Sequence, residues 1–174
     1  MKPDIVRQII RGILILLVQV LILKRISSGS AWLWLHADIF IYPVIILMLP
    51  IRLLRHYVIL LGFAIGLIID LFYDTVGVHA FALTAVAYAR GLILNYLEPR
   101  GGYTLVMTPT RHAMGLNWLL IYTAIAYGIH SFLYYTIEIF TFVYIGQILL
   151  KTLITFLLST MVVMGYHLLF NPRA

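Results

Sequence analysis

The sequence contains no cysteine and very few charged side chains. Without cysteine there is no disulfide, no thiolate metal site and no cysteine nucleophile. Only 10% of the 174 residues are charged, whereas 63% are hydrophobic, and the mean hydropathy is +1.04. A water-soluble surface needs far more charge than this. We therefore expect an integral membrane protein in which residues 1–174 form a single membrane domain.

Apolar segments long enough to cross a bilayer fill almost the whole chain. A hydrocarbon core of about 30 Å takes about 20 helical residues, and these segments are apolar all round instead of alternating, which favours helices over a barrel. The predicted helices cover residues 12–23, 39–49 with an extension over 52–55, 57–73, 76–97, 113–135 and 139–170. The last exceeds one crossing, so either it is strongly tilted or residues 139–148 lie at the interface. The sequence predicts an all-α polytopic membrane protein, a single bundle of about six transmembrane helices.

Basic residues lie in alternate gaps between these helices. Lys24 and Arg25 fall on one side and Lys151 is left unassigned, whereas nine fall on the side of the N terminus: Lys2, Arg7, Arg11, Arg52, Arg55, Arg90, Arg100, Arg111 and Arg173. Cytoplasmic loops are enriched in lysine and arginine, so both termini are predicted to be cytoplasmic. An outer aromatic belt is expected from Trp32, Trp34, Tyr73, Tyr134 and Tyr135.

The net charge of +6 does not indicate a nucleic-acid-binding protein. The basic residues are spread over short loops and never form the dense stripe that a phosphate backbone requires. We expect them to set the topology and to contact the headgroups of membrane lipids.

Small and acidic residues mark the third and fourth predicted helices. They recur every four residues at Gly62, Gly66, Asp70 and Asp74, and on the next helix Gly77, Ala80, Thr84, Ala87 and Gly91 follow one face. A small-xxx-small pair lets two helices approach closely. The pattern predicts a tight antiparallel helix hairpin that is packed through Gly62, Gly66, Asp70, Gly77 and Ala80.

Asp70 has two interpretations, because a carboxylate inside a membrane is expensive unless it has a partner. It can cap the amide groups that begin the next helix, which locks the hairpin. The alternative is a role in proton or ligand binding. The spacing of Asp70 and Asp74 also matches the DxxxD of intramembrane prenyl transferases, but no second acidic pair accompanies it.

The histidines and serines form no recognisable catalytic set. The six histidines are far apart without HExxH spacing. Ser131 follows His130 directly, and neighbours on a helix point about 100° apart. We therefore expect no catalytic residue, no metal site and no cofactor.

Polar side chains form stripes on the fifth and sixth predicted helices. One stripe contains Thr123, Tyr127, His130 and Tyr134, and the other contains Thr152, Thr155, Ser159 and Tyr166. Such stripes form interhelical hydrogen bonds in many membrane proteins. The alternative is that Thr123, Tyr127, His130, Thr155 and Ser159 line a polar cavity for a small solute.

The segment 66–82, GLIIDLFYDTVGVHAFA, resembles the MreD family of bacterial rod shape-determining membrane proteins. The resemblance is carried by Gly66, the Asp70-Leu71-Phe72 triplet, Gly77 and Ala80, and Val76 stands where leucine is common in the family. Length, hydropathy and a basic, proline-containing loop after the fourth helix are also similar.

This resemblance implies a non-enzymatic scaffold of the cell-elongation machinery in the bacterial inner membrane. The implied partner is an MreC-like bitopic protein and, through it, MreB, RodA and a class B penicillin-binding protein, which build peptidoglycan. The family is also similar in fold to the substrate-binding subunits of energy-coupling-factor transporters. That similarity implies an alternative function, a small-solute-binding membrane subunit of a transporter.

Overall fold

The computed structural model describes residues 3–29, 38–103 and 108–170, and in these ranges the chain is helical without any strand. The first helical stretch consists of α1 (Pro3–Val18), a π-helical turn (Gln19–Leu23) and α2 (Lys24–Gly29). The remaining helices are α3 (Pro43–Leu47), α4 (Arg55–Tyr73), α5 (Val78–Tyr96), α6 (Arg111–Met114), α7 (Leu116–Ile139) and α8 (Ile145–Phe170).

Five of these helical stretches are long and apolar enough to cross a membrane. They are Val6–Ile26, Arg55–Tyr73, Val78–Tyr96, Leu116–Ile139 and Ile145–Phe170. The chain is therefore a multi-pass membrane protein, and its described ranges are helical without strands. Large apolar side chains such as Leu71, Leu92 and Met161 are exposed on the outside of the bundle, as expected of a surface that faces lipid.

The helix predicted over residues 39–49 is wrong in its extent. Only Pro43–Leu47 is helical, and residues 38–41 run without regular secondary structure. The helix begins at Pro43 because proline has no amide hydrogen to donate and is favoured at the first helical position. The extension predicted over 52–55 is absent as well, since Leu54 is the N-cap of α4.

The long apolar stretch over 139–170 is broken near its start. Phe140 has φ of 49°, a left-handed conformation that ends α7, and its amide donates to the Thr136 carbonyl. A single 3-10 turn, Phe142–Tyr144, leads into α8, which is continuous over Ile145–Phe170. The helix predicted to begin at residue 139 therefore begins at Ile145, whereas its tilt and the interfacial position of residues 139–148 stay predictions.

The helices pack in the order α4, α5, α7, α8, with the short α3 against α4, α5 and α7. Lys151, which the charge count leaves unassigned, lies within α8 with its ammonium 5.4 Å from the Tyr135 ring centre. Trp32 and Trp34 of the predicted aromatic belt lie outside the described residues.

Candidate functional site

Residues 38–50, here called the threaded segment, run through the interior of the bundle. Phe40, Tyr42, Val44 and Ile46 are fully buried along it. The Leu47 carbonyl accepts from the Tyr122 hydroxyl, whereas the Asp38 amide donates to the Tyr135 hydroxyl, both at 3.1 Å. The two tyrosines lie about 20 Å apart along α7 at 1.5 Å per residue, so the segment passes through much of the bundle's depth.

The backbone of this segment is bonded by side chains from the surrounding helices. The Asp38 amide donates to Thr155 Oγ1 at 3.1 Å, the Phe40 amide donates to Ser159 Oγ at 2.9 Å, and the Tyr127 hydroxyl donates to the Ile41 carbonyl at 3.1 Å. Inside a membrane, non-helical backbone is tolerated only where the protein itself satisfies its polar groups. These side chains take the place of the missing helical hydrogen bonds.

Gln19, in the first helical stretch, also forms hydrogen bonds to the backbone of the threaded segment. Its side chain is fully buried, and it accepts from the Ile41 amide at 2.8 Å while donating to the Ile39 carbonyl at 3.1 Å and the Tyr73 hydroxyl at 2.7 Å. Gln19 begins the π-helical turn, a local change of helix geometry that is often found at functional positions. The amide therefore ties this helix to the threaded segment.

Arg90 binds the other end of the threaded segment. It is 97% buried within α5, whereas the charge count assigns it to a gap between helices. Its guanidinium donates to the Leu49 carbonyl at 2.5 Å, the Pro50 carbonyl at 3.3 Å and the Tyr122 hydroxyl at 3.2 Å. Arginine has five donors in a fixed planar group, so a single side chain can serve all three acceptors.

The predicted polar stripes are thus largely used inside the bundle. Tyr127, Thr155 and Ser159 bond the threaded segment, whereas Thr123 Oγ1 donates to the Leu119 carbonyl of its own helix at 2.7 Å. The space that the cavity interpretation assigned to a solute is filled at these positions by residues 38–42. The sequence pattern does not predict this role for Gln19, although Gln19 is the one polar residue in the apolar run 12–23.

A buried cluster of Tyr42, His79 and His130 lies beside the threaded segment. The Tyr42 hydroxyl is 2.9 Å from His79 Nδ1 and 2.7 Å from His130 Nε2. A hydroxyl has one proton, so with both rings neutral it donates to one imidazole and accepts from the other. His79 Nε2 and His130 Nδ1 then carry one hydrogen and one lone pair between them, and neither has a partner in the described part of the chain.

The helices α4 and α5 form a hairpin that is packed too closely for any residue but glycine at two positions of α4. A Cβ on Gly66 would lie 2.3 Å from Ala80 Cα, and one on Gly62 would lie 2.9 Å from Ala87 Cβ. Gly77 has φ of 82° at the N-cap of α5, a conformation that favours glycine. Gly62, Gly66, Gly77 and Ala80 all therefore lie in this hairpin or its turn.

Asp70 joins the two helices of the hairpin through three hydrogen bonds. Its carboxylate accepts from the amides of His79 at 3.0 Å and Ala80 at 2.9 Å, and from Thr75 Oγ1 at 2.5 Å. The two amides belong to the first turn of α5, where they have no helical acceptor. Asp70 of α4 thus caps the N-terminal end of α5. This is the first of the two interpretations given above, a cap that locks the hairpin.

Two apolar grooves open on the lipid-facing surface of the bundle. One, of about 600 Å³, lies between α7 and α8 and has Ala124, Gly128 and Thr152 among its lining residues. The other, of about 670 Å³, lies between α1 and α8 and has Arg7 and Arg11 at one end. Because the interior is occupied by the threaded segment, these grooves offer a second molecule room to dock on the outside of the bundle.

Comparison of the chain with protein-family models, with curated proteins and with solved structures finds no match.

Proposed function

We propose that this protein is a non-enzymatic, MreD-like scaffold of the cell-elongation machinery in the bacterial inner membrane. It binds the transmembrane helix of an MreC-like bitopic partner and is thereby linked to MreB, RodA and a class B penicillin-binding protein. The observation that carries the proposal is the threaded segment: the chain fills its own interior, which leaves the lipid-facing grooves for binding. The MreD-like residues Gly66, Asp70, Gly77 and Ala80 lie in the hairpin that supports this arrangement.

The proposed topology has both termini in the cytoplasm. The five long helices and the threaded segment together make six passages of the chain, an even number. The excess of lysine and arginine in the gaps on the N-terminal side supports this orientation even without Arg90, which is buried in α5.

The proposed docking surface for the partner helix is the groove between α7 and α8. Ala124 and Gly128 are four residues apart on α7 and form a small-xxx-small pair, which is typical of a close helix contact in membranes. The nearest atom to a Cβ built on Gly128 is a Phe156 ring carbon at 4.0 Å, so the protein itself does not occupy this site. Thr152 Oγ1 in the same groove is buried and has no partner among the described residues.

Co-purification with an MreC-like partner tests the proposal. Gly128→Leu places a large side chain in the groove and should reduce recovery of the partner about tenfold or more, the equivalent of losing a well-packed anchor contact. Gly146→Leu is the matched control, because its Cβ meets no atom within 4 Å and Gly146 lies outside the groove. Failure to recover any partner with the folded wild-type protein would contradict the scaffold function, and equal recovery with Gly128→Leu would contradict this docking surface.

One observation favours the alternative function, a small-solute-binding subunit similar to those of energy-coupling-factor transporters. The buried nitrogens His79 Nε2 and His130 Nδ1 lack partners in the described structure, and polar atoms of this kind are left open in ligand sites. Mass spectrometry of the denatured, purified protein tests this function. A stoichiometric small solute that is lost on Tyr42→Phe would support it, and release of no solute would count against it.

A further inference from the structure

Arg7 and Arg11 line two cavities at the surface of the bundle. Arg7 and Arg11 are one helical turn apart on α1, so they project from the same face. Both line the groove of about 670 Å³ between α1 and α8, and both also line a smaller cleft of about 70 Å³ on the side of α1 that faces α3. The two side chains are therefore shared by a long apolar groove and a smaller cleft whose lining is more polar.

The small cleft has the chemistry of an anion site. Its polar lining includes Gln8, Thr108 and Thr110 beside the two arginines, and none of its lining residues in the described part of the chain is acidic. Thr108 is only 5% exposed, and its Oγ1 has no hydrogen-bond partner in the described part of the chain. In the same ranges, Arg7 and Arg11 donate no hydrogen bond and form no ion pair. Arginine and hydroxyl donors of this kind suit the oxygens of a phosphate.

The groove between α1 and α8 has the chemistry and length of an acyl-chain site. Apart from the arginines, it is lined mainly by aliphatic and aromatic side chains, including Leu14, Val18 and Leu169. From Arg7 to Val18 the α1 wall is about 17 Å long at 1.5 Å per residue, close to the roughly 15 Å depth of one membrane leaflet. Gly165 lies on the opposite wall and leaves the groove open, because a Cβ there meets no atom within 4 Å.

We propose that Arg7, Arg11 and Thr108 bind the phosphate of an anionic phospholipid whose acyl chain lies in the groove between α1 and α8. A phospholipid joins a phosphate to an apolar chain, and Arg7 and Arg11 line both the more polar cleft and the apolar groove. The occupant is a lipid of the leaflet that contains the α1 N terminus. Basic pockets between transmembrane helices are a known type of site for acidic headgroups.

Lipid retention, measured by native mass spectrometry of the protein purified from vesicles, tests this proposal. The probes are phosphatidylglycerol and phosphatidylcholine, which differ in net charge. We expect the wild type to retain phosphatidylglycerol in preference to phosphatidylcholine. Arg7→Gln with Arg11→Gln should lower the retained phosphatidylglycerol about a hundredfold, because each arginine loses a charge-assisted hydrogen bond to the phosphate and each such bond contributes on the order of a tenfold change.

A matched double variant separates a specific site from general surface charge. Arg52→Gln with Arg100→Gln removes the same charge from exposed positions at the same end of the α4–α5 hairpin. This control should keep wild-type lipid retention. An equal loss in both double variants, or equal retention of phosphatidylcholine, would overturn the proposal.

Two glycine variants test the acyl-chain part independently of charge. Gly165→Leu should reduce phosphatidylglycerol retention while leaving the arginines intact, and Gly128→Leu, in the other groove, should not. Unchanged retention in Gly165→Leu would overturn the proposal, as would displacement of the lipid by inorganic phosphate, which would indicate a site for the free ion. Recovery of a protein on this groove that depends on Arg7 and Arg11 would likewise overturn it.

Discussion

Gly66→Ala tests the close packing of the hairpin with one added methyl group. The new Cβ would lie 2.3 Å from Ala80 Cα and 2.7 Å from the Ala80 amide nitrogen. Ordinary contact begins at 3.4 Å, so α4 and α5 must separate by about 1 Å. The obstructing atoms are backbone atoms of a neighbouring helix, which cannot move away by a rotamer change.

The cost has two parts, because the same displacement affects the Asp70 cap. Overpacking costs about 3 kcal/mol when the backbone must move, and a weakened cap costs about 1 kcal/mol more. Alanine has a better helix propensity than glycine by about 1 kcal/mol, which offsets part of this cost. We expect Gly66→Ala to lower the free energy of unfolding by about 3 kcal/mol.

Reversible unfolding in mixed micelles of increasing denaturing-detergent fraction measures this change. Gly91→Ala is the control, because it adds the same methyl group to α5 where no atom lies within 4 Å. The control should be neutral or slightly stabilising. Equal stability of Gly66→Ala and Gly91→Ala would refute the close contact between α4 and α5.

Three further substitutions test individual polar contacts by the same unfolding assay. Asp70→Asn keeps the shape but replaces one acceptor oxygen by a donor, so it should lower the free energy of unfolding by about 2 kcal/mol. Unchanged stability would contradict the role of Asp70 as the cap of α5. Arg90→Gln leaves backbone carbonyls of the threaded segment without donors and should cost about 3 kcal/mol, whereas the exposed Arg52→Gln should change stability by less than about 0.5 kcal/mol. Tyr42→Phe removes the hydroxyl between the two buried imidazoles and should cost about 1 to 3 kcal/mol, with the exposed Tyr57→Phe as its neutral control.

The long helices and the hairpin could be predicted because their signals are local. Runs of apolar residues, and glycines spaced by four, show in the sequence which segments cross and which faces meet. The predicted helix over 57–73 differs from α4 (Arg55–Tyr73) only at its start, and the one over 76–97 differs from α5 (Val78–Tyr96) by a residue or two at each end.

The threaded segment could not be predicted in the same way, because its stability depends on residues far away in the chain. Residues 39–49 are apolar enough to resemble a helix, and only the partners Gln19, Ser159 and Arg90 reveal that the backbone is not helical throughout. Polar stripes on two helices can serve a solute, a neighbouring helix or an irregular segment equally well. The sequence alone does not show which of these three partners faces the polar stripes.

The central claim, that the chain fills its own interior, is tested most directly by a disulfide between Asp38→Cys and Thr155→Cys. The protein has no native cysteine, so the background is clean. The Asp38 amide nitrogen lies 3.1 Å from Thr155 Oγ1, which limits the two Cα atoms to about 7 Å, close to disulfide range. We predict that oxidation in native membranes cross-links this pair and does not cross-link Asp38→Cys with Leu157→Cys, whose position is exposed on the same helix. Cross-linking to position 157 but not to position 155 would contradict the account.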